Sequence, residues 1–222
     1  MGTNCKGILS EKWNYNNCLG ALDGRHLPLK QTIGGGSNFW NYKKFHSILL
    51  LAVCDAKYKF IYANVGASGA AGDASTWLDS SLYRKLSTNT ANLPDPEPLP
   101  NDDAFALQPY LMKPYLNRNQ TNEDRIYNYG LSRARQTTEN TFGLLQQRLR
   151  LFGTCIAVQP KKAILISMCG IVLHNLFLER IPLTLNSKLV DREDHNHQLY
   201  DGAWREDHQE LEGINLTVGR NP

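Results

Sequence analysis

Apolar positions along this chain come in runs of different kinds. Phe45–Cys54 is a nearly continuous apolar run, which predicts a central strand buried on both faces. Cys18-Leu-Gly-Ala-Leu22 is shorter and predicts a buried strand ending at Asp23, where Gly24 lets the backbone turn past the acid. Asp55–Lys57 reads as a turn, and Tyr58–Val65 alternates imperfectly, as the returning arm of a hairpin does. Gly66–Gly72 is a loop of small residues. A helix through Leu86 follows it, with Asp73 or Ser75 placed to cap its start. Pro94, Pro96, Pro98 and Pro100 exclude a central strand from residues 87–101, and 115–129 reads as polar and irregular. Leu131–Phe152 predicts a long helix with a basic face. Pro160 opens a second, apolar helix to about Glu179. Its longest apolar run, Ala163–Phe177, is interrupted by Ser167, His174 and Asn175, short of a membrane span. From Ile181 onward the pattern is acidic and weak, apart from an aromatic island at Tyr200-Asp-Gly-Ala-Trp204.

This succession of strands and helices is that of an α/β protein. A chain of 222 residues holds one sizeable domain or two small ones. The net charge of +3 says little, but its distribution says more. Residues 1–60 and 113–179 are basic, and 61–112 and 180–222 are acidic. Two basic blocks around an acidic middle suit a phosphate-bearing partner, although solvated helix faces produce the same blocks. The 5 cysteines form no C-x-x-C pair, which excludes zinc spacing and fits a reducing compartment. Cys18, Cys54 and Cys169 lie in apolar runs and read as small buried hydrophobes. The first residues carry no apolar stretch of the signal-peptide kind.

Four acids stand out by their surroundings: Asp23, Asp73, Asp102 and Glu139. A carboxylate driven to a sheet edge by an apolar strand is costly unless a cation relieves it. Acids gathered from distant points in sequence are a usual cage for Mg²⁺ in phosphoryl-transfer enzymes. Each has a plainer reading. Asp23-Gly24 is a common turn pair and Asp73 a helix cap. Asp102-Asp103 suits a solvated loop, and Glu139 an ion pair with Arg135 one turn earlier. At helical spacing Ser132, Arg135, Glu139 and Gln146 share one arc.

The ordered set Gly20-Ala-Leu-Asp-Gly-Arg-His26, Tyr42-Lys-Lys-Phe-His-Ser47, Gly72-Asp73, Asp102-Asp-Ala-Phe105, Ser132-Arg-Ala-Arg135, Glu139-Asn-Thr-Phe-Gly143 and Val172-Leu-His-Asn-Leu176 resembles the PIF/Harbinger transposases and the nucleases derived from them. The resemblance covers residues 13–180, leaving 181–222 as an acidic, weakly ordered tail. It implies an RNase H-like mixed sheet flanked by helices. It further implies a D-D-E set, Asp23, Asp102 and Glu139, which with Asp73 binds two divalent metals, Mg²⁺ or Mn²⁺, and cuts DNA. Arg133, Arg135, Arg148, Lys43 and Lys44 are the implied nucleic-acid contacts. Two departures stand out. Gln146 is neutral where the family has a basic residue, and the strand that leads into the second Asp is missing before Asp102. A catalytically silent DNA- or protein-binding module is therefore the alternative. The family's helix-turn-helix reader is also not in this sequence. The expected partners are DNA and a separate DNA-reading protein, with a homo-oligomer compatible, no membrane, and a nuclear location.

Overall fold

A computed structural model describes residues 18–30, 36–91, 111–115, 120–181, 187–195 and 198–205. Asp102 and Asp103, and the proline-rich stretch before them, lie outside the described residues.

Three strands form one antiparallel sheet in the order β1-β2-β3: β1 (Ala21–Pro28), β2 (Ser47–Cys54) and β3 (Phe60–Ser68). The apolar run predicted as a central strand is β2, buried at every position. It is central because both of its edges are paired. β1 does not end at Asp23. Its backbone stays in register with β2 from Ala21↔Cys54 to Pro28↔Ser47, so Asp23 lies inside the strand, opposite Ala52. A mixed sheet was expected, but all the described strand pairs are antiparallel. On the other edge of β1 one parallel bridge, Leu29↔Ile156, touches its end.

The helix predicted from Asp73 is two short ones, α1 (Asp73–Asp79) and α2 (Ser81–Ser87). Ser80 takes an extended conformation between them, and its hydroxyl accepts from Tyr83 N–H at 3.0 Å, capping α2. Neither Asp73 nor Ser75 caps α1, whose N-cap is Gly72. The long helix α3 (Asn122–Arg148) starts about two turns before the predicted Leu131. Thr121 and Asp124 form a reciprocal capping box there, 3.2 Å and 3.0 Å, and this overrides the polar character of the segment. Helix α4 (Pro160–Arg180) begins at its proline, as expected.

α3 and α4 pack against the sheet and close a core of Leu27, Ile48, Leu50, Phe60, Phe142, Leu145, Phe152 and Ile171. Asn175 of α4 bonds both the N–H and the C=O of Phe60, each at 2.9 Å, satisfying backbone groups of β3. By length and mean hydropathy, 1.5 over its best stretch, α4 does meet the measure of a membrane span. It nevertheless buries His174 and Ser167 against the sheet side and turns Leu165 and Val172 outward. Cys169, expected to be buried, is on that exposed side.

The weak order expected after Ile181 does not describe residues 187–195 and 198–205. They form a small hairpin, β4 (Arg192–Glu193) with β5 (Leu199–Tyr200), and a 3₁₀ turn at Ala203–Arg205 that lies on α3. Trp204 of the aromatic island is buried there.

Candidate functional site

The side chains at Asp23 and Arg25 alternate onto the face of β1 that α3 covers. Thr138 of α3 donates its hydroxyl to the Ala21 carbonyl at 3.0 Å, pinning the helix beside Asp23. Three residues earlier on α3, Arg135 Nη2 lies 3.1 Å from Asp23 Oδ1. Glu139 follows Arg135 by one turn, so acids from β1 and α3 border one seam. The plainer pairing of Glu139 with Arg135 is not what forms. Arg135 goes to Asp23, and Glu139 faces Arg205, whose Nη2 is 3.9 Å from its Oε2.

The side chain of Asp23 is only 15 % exposed. Burial pushes its pKa up against the opposing pull of Arg135, and the nearby charge of Asp73 pushes it further in the same direction. Asp73 approaches because position 24 is glycine: a Cβ there would overlap the Asp73 carboxylate. The Asp23-Gly24 pair is therefore not a turn. It is a strand segment whose glycine leaves room for the Asp73 carboxylate on the face opposite Asp23.

The donor chemistry fits a hard divalent cation. Asp23 is a desolvated oxygen donor whose electrostatic cost such an ion would relieve, and Asp73 offers a second carboxylate near the same strand. Among the described residues, however, no three His, Cys, Asp or Glu side chains converge as a complete metal site. Asp73 lies against the Gly24 side of β1, opposite the face that Asp23 and Arg25 share, and its charge reaches Asp23 only as a minor influence. Glu139, 45 % exposed in its side chain, stands apart with Arg205, and Asp102 lies outside the described residues.

The expected basic contacts divide. Arg135 is 62 % exposed and can reach solvent. Lys43 and Lys44 are exposed in the turn before β2, beside Tyr42. Arg133 differs from the surface role expected of it. It is buried, 2.7 Å from Glu193 and 2.7 Å from Gln136, so its charge is used to hold the β4–β5 hairpin. Arg148 is half-buried, and burial lowers its pKa. Gln146 is buried too and accepts from Arg25, whose guanidinium lies over Phe142 at 5.8 Å. Burial brings the Arg25 pKa down to about 10.

Sequence reasoning missed Arg205 and its anchor, Asp191. The aromatic island was the one signal, since an isolated Trp in a polar tail needs a place to be buried. His26, read as structural, contacts Ser47 Oγ at 3.0 Å and meets the edges of Tyr42 and Phe45.

Comparison with known proteins bears on this arrangement. The family model described as DDE superfamily endonuclease matches residues 22–175. A protein of Rattus norvegicus named "Putative nuclease HARBI1" is 30% identical over 164 residues, covering 72% of this chain and 46% of the relative. The Xenopus laevis protein of the same name is 27% identical over 180 residues, covering 78% and 51%. The chain spans about half the length of these curated relatives. No solved structure matches. The matched stretch holds Asp23, Asp73 and Glu139, the three candidate acids among the described residues, and the chain belongs to the DDE superfamily endonucleases.

Proposed function

We propose that this chain is the nuclease domain of a Harbinger-like, transposase-derived enzyme that hydrolyses DNA phosphodiesters with Mg²⁺ or Mn²⁺. The observation that carries the reading is Asp23. It is a desolvated carboxylate inside β1, within reach of the Asp73 charge and countered by an arginine one turn before Glu139. The RNase H-like fold belongs to the same reading. Three antiparallel strands with a parallel contact on the far edge of β1, and helices packed on the sheet, support it.

Bound divalent ions would supply a water of lowered pKa and charge stabilisation at the leaving 3′ oxygen. Asp23, Asp102 and Glu139 would hold such ions, with Asp73 as a further ligand. Arg135, 62% exposed, is held by one ion pair to Asp23, and a cation beside Asp23 would take over its neutralising role. Released, it meets a backbone phosphate, as do Lys43 and Lys44. The substrate places the protein in the nucleus, and a separate DNA-reading protein supplies target choice. No membrane enters this reading, because α4 serves the core.

The test is nicking of supercoiled plasmid with Mg²⁺ or Mn²⁺ by the wild-type chain, Asp23→Ala and Glu139→Ala. Cleavage by the wild type with at least a hundredfold loss in both variants is expected. Equal cleavage by all three sinks these site residues. A second reading, a silent DNA- or protein-binding module, draws on the arginines that occupy both seam acids. It requires that the wild type never cleave, even at high protein concentration, while retaining DNA or protein binding.

A further inference from the structure

The hairpin and turn at 187–205 lie beyond the family-matched stretch, yet they bring a cation to the seam. Arg205 is held as few surface arginines are. Its Nε and Nη2 donate to the two oxygens of Asp191, at 2.9 Å and 2.6 Å. Asp191 is itself buried, its side chain 1% exposed, and takes further bonds from Gly202 N–H at 2.7 Å and Gln136 Nε2 at 3.1 Å. The guanidinium also stacks on Trp204, 4.4 Å from the ring centroid. The Trp204 indole is fixed in turn by a 2.9 Å bond to Asn140 Oδ1 and by contact with Gly143.

These contacts occupy one edge of the guanidinium. The Nη1 edge has no partner among the described residues, and the side chain is 37% exposed beside Glu139. Holding a guanidinium this rigidly takes most of the entropic cost out of a later contact. Glu139 at 3.9 Å and Asp201, whose Oδ1 is 3.4 Å from Nε, add little, because their side chains are 45% and 82% exposed. The arrangement is that of a pre-aimed donor edge open to an anion.

We infer that Arg205 binds a backbone phosphate of nucleic acid at the Glu139 side of the seam, through its outer Nη1 edge. Residues 187–195 and 198–205 thereby form one wall of the site and take part in substrate binding. This inference rests on the nuclease reading above, since it needs DNA lying along the seam. The Asp191–Trp204 support makes Arg205 a fixed contact. Arg135, on its single ion pair, is a mobile one.

The test is binding of a short DNA duplex by the full chain, followed by fluorescence anisotropy across a salt series with Ca²⁺ present. Removing Arg205 alone would strand the buried Asp191, so the main variant is Asp191→Asn/Arg205→Gln, with its thermal midpoint measured alongside. The expected result is a slope of log affinity against log salt that is shallower by about one, the loss of a single phosphate contact. An unchanged slope in the folded variant overturns the inference and leaves the nuclease reading standing. No binding by the wild type overturns the reading and the inference together. Where the double variant does not fold, phenylglyoxal labelling of the wild-type chain decides. Protection of Arg205 by DNA supports the contact, and equal labelling with and without DNA refutes it.

Discussion

At the scale of single residues, Asp23 is held against its own preference. Its folded pKa lies above the unfolded value, so the native state binds the extra proton. The stability this adds is present at low pH and is lost as pH rises through the folded pKa. In EDTA at pH 7, Asp23→Asn should therefore raise the thermal midpoint and flatten its acid-side pH dependence. A lowered midpoint would show that the Arg135 pair outweighs burial. Gly24→Ala should push the Asp73 carboxylate aside, because the added methyl overlaps it. A loss of Mn²⁺ affinity of at least tenfold by titration, with little change in melting, is expected. Unchanged affinity would remove Asp73 from the cation set. His174 titrates with the opposite sign. Burial brings its pKa down to about 4 from 6.5, with the Tyr58 carbonyl pulling it back up and Arg148 pressing it lower. Its imidazole bonds Tyr58 O at 2.9 Å. Stability from this group is full above pH 6.5 and drains away as pH falls toward 4. His174→Gln should weaken that acid slope in a denaturation series.

At the scale of elements, the join between α3 and the 187–205 segment is the feature least legible in sequence. Asn140 and Gly143 read as parts of a family signature around Glu139. Structurally, Asn140 Oδ1 receives both Trp204 Nε1 and the backbone N–H of Asp191, at 2.9 Å and 3.1 Å. Gly143 leaves room for the indole. The Arg205 clasp also keeps the Asp191 pKa low. Burial by itself would raise it, but the bonds from Arg205, Gly202 and Gln136 win. Gly143→Val should lift Trp204 off α3 at a cost of about 1–3 kcal/mol, as overpacking does. Limited proteolysis would then cut within 187–205 faster than in the wild type. Equal rates would mean that the segment docks without Trp204. Elements defined by local chemistry were easier to read. β2 followed from its unbroken apolar run, and α4 from Pro160 and its apolar turns. The early start of α3 was also written locally, in Thr121 and Asp124, beneath a polar composition that masks the capping box.

At the scale of the whole molecule, three antiparallel strands and two long helices carry the seam, with the C-terminal hairpin closing one side. α4 leaves Leu165, at 71% exposure, and Val172 uncovered on its outer face. The nicking experiment belongs to this scale, because it asks whether all four acids act as one set.

The order of β1, β2, β3, α3 and α4 and the burial of β2 were determined by the sequence alone. They depend on runs and spacings a few residues long, where side-chain periodicity and capping chemistry act directly. Which acid meets which cation was decided only by tertiary structure. Asp23 met Arg135 across 112 positions, and Glu139 met Arg205 from a segment with almost no pattern. Burial of Arg133 and anchoring of Arg205 arose the same way. Electrostatic partnership depends on distance in space, and only the packing of α3 on β1 and of Trp204 on α3 sets those distances.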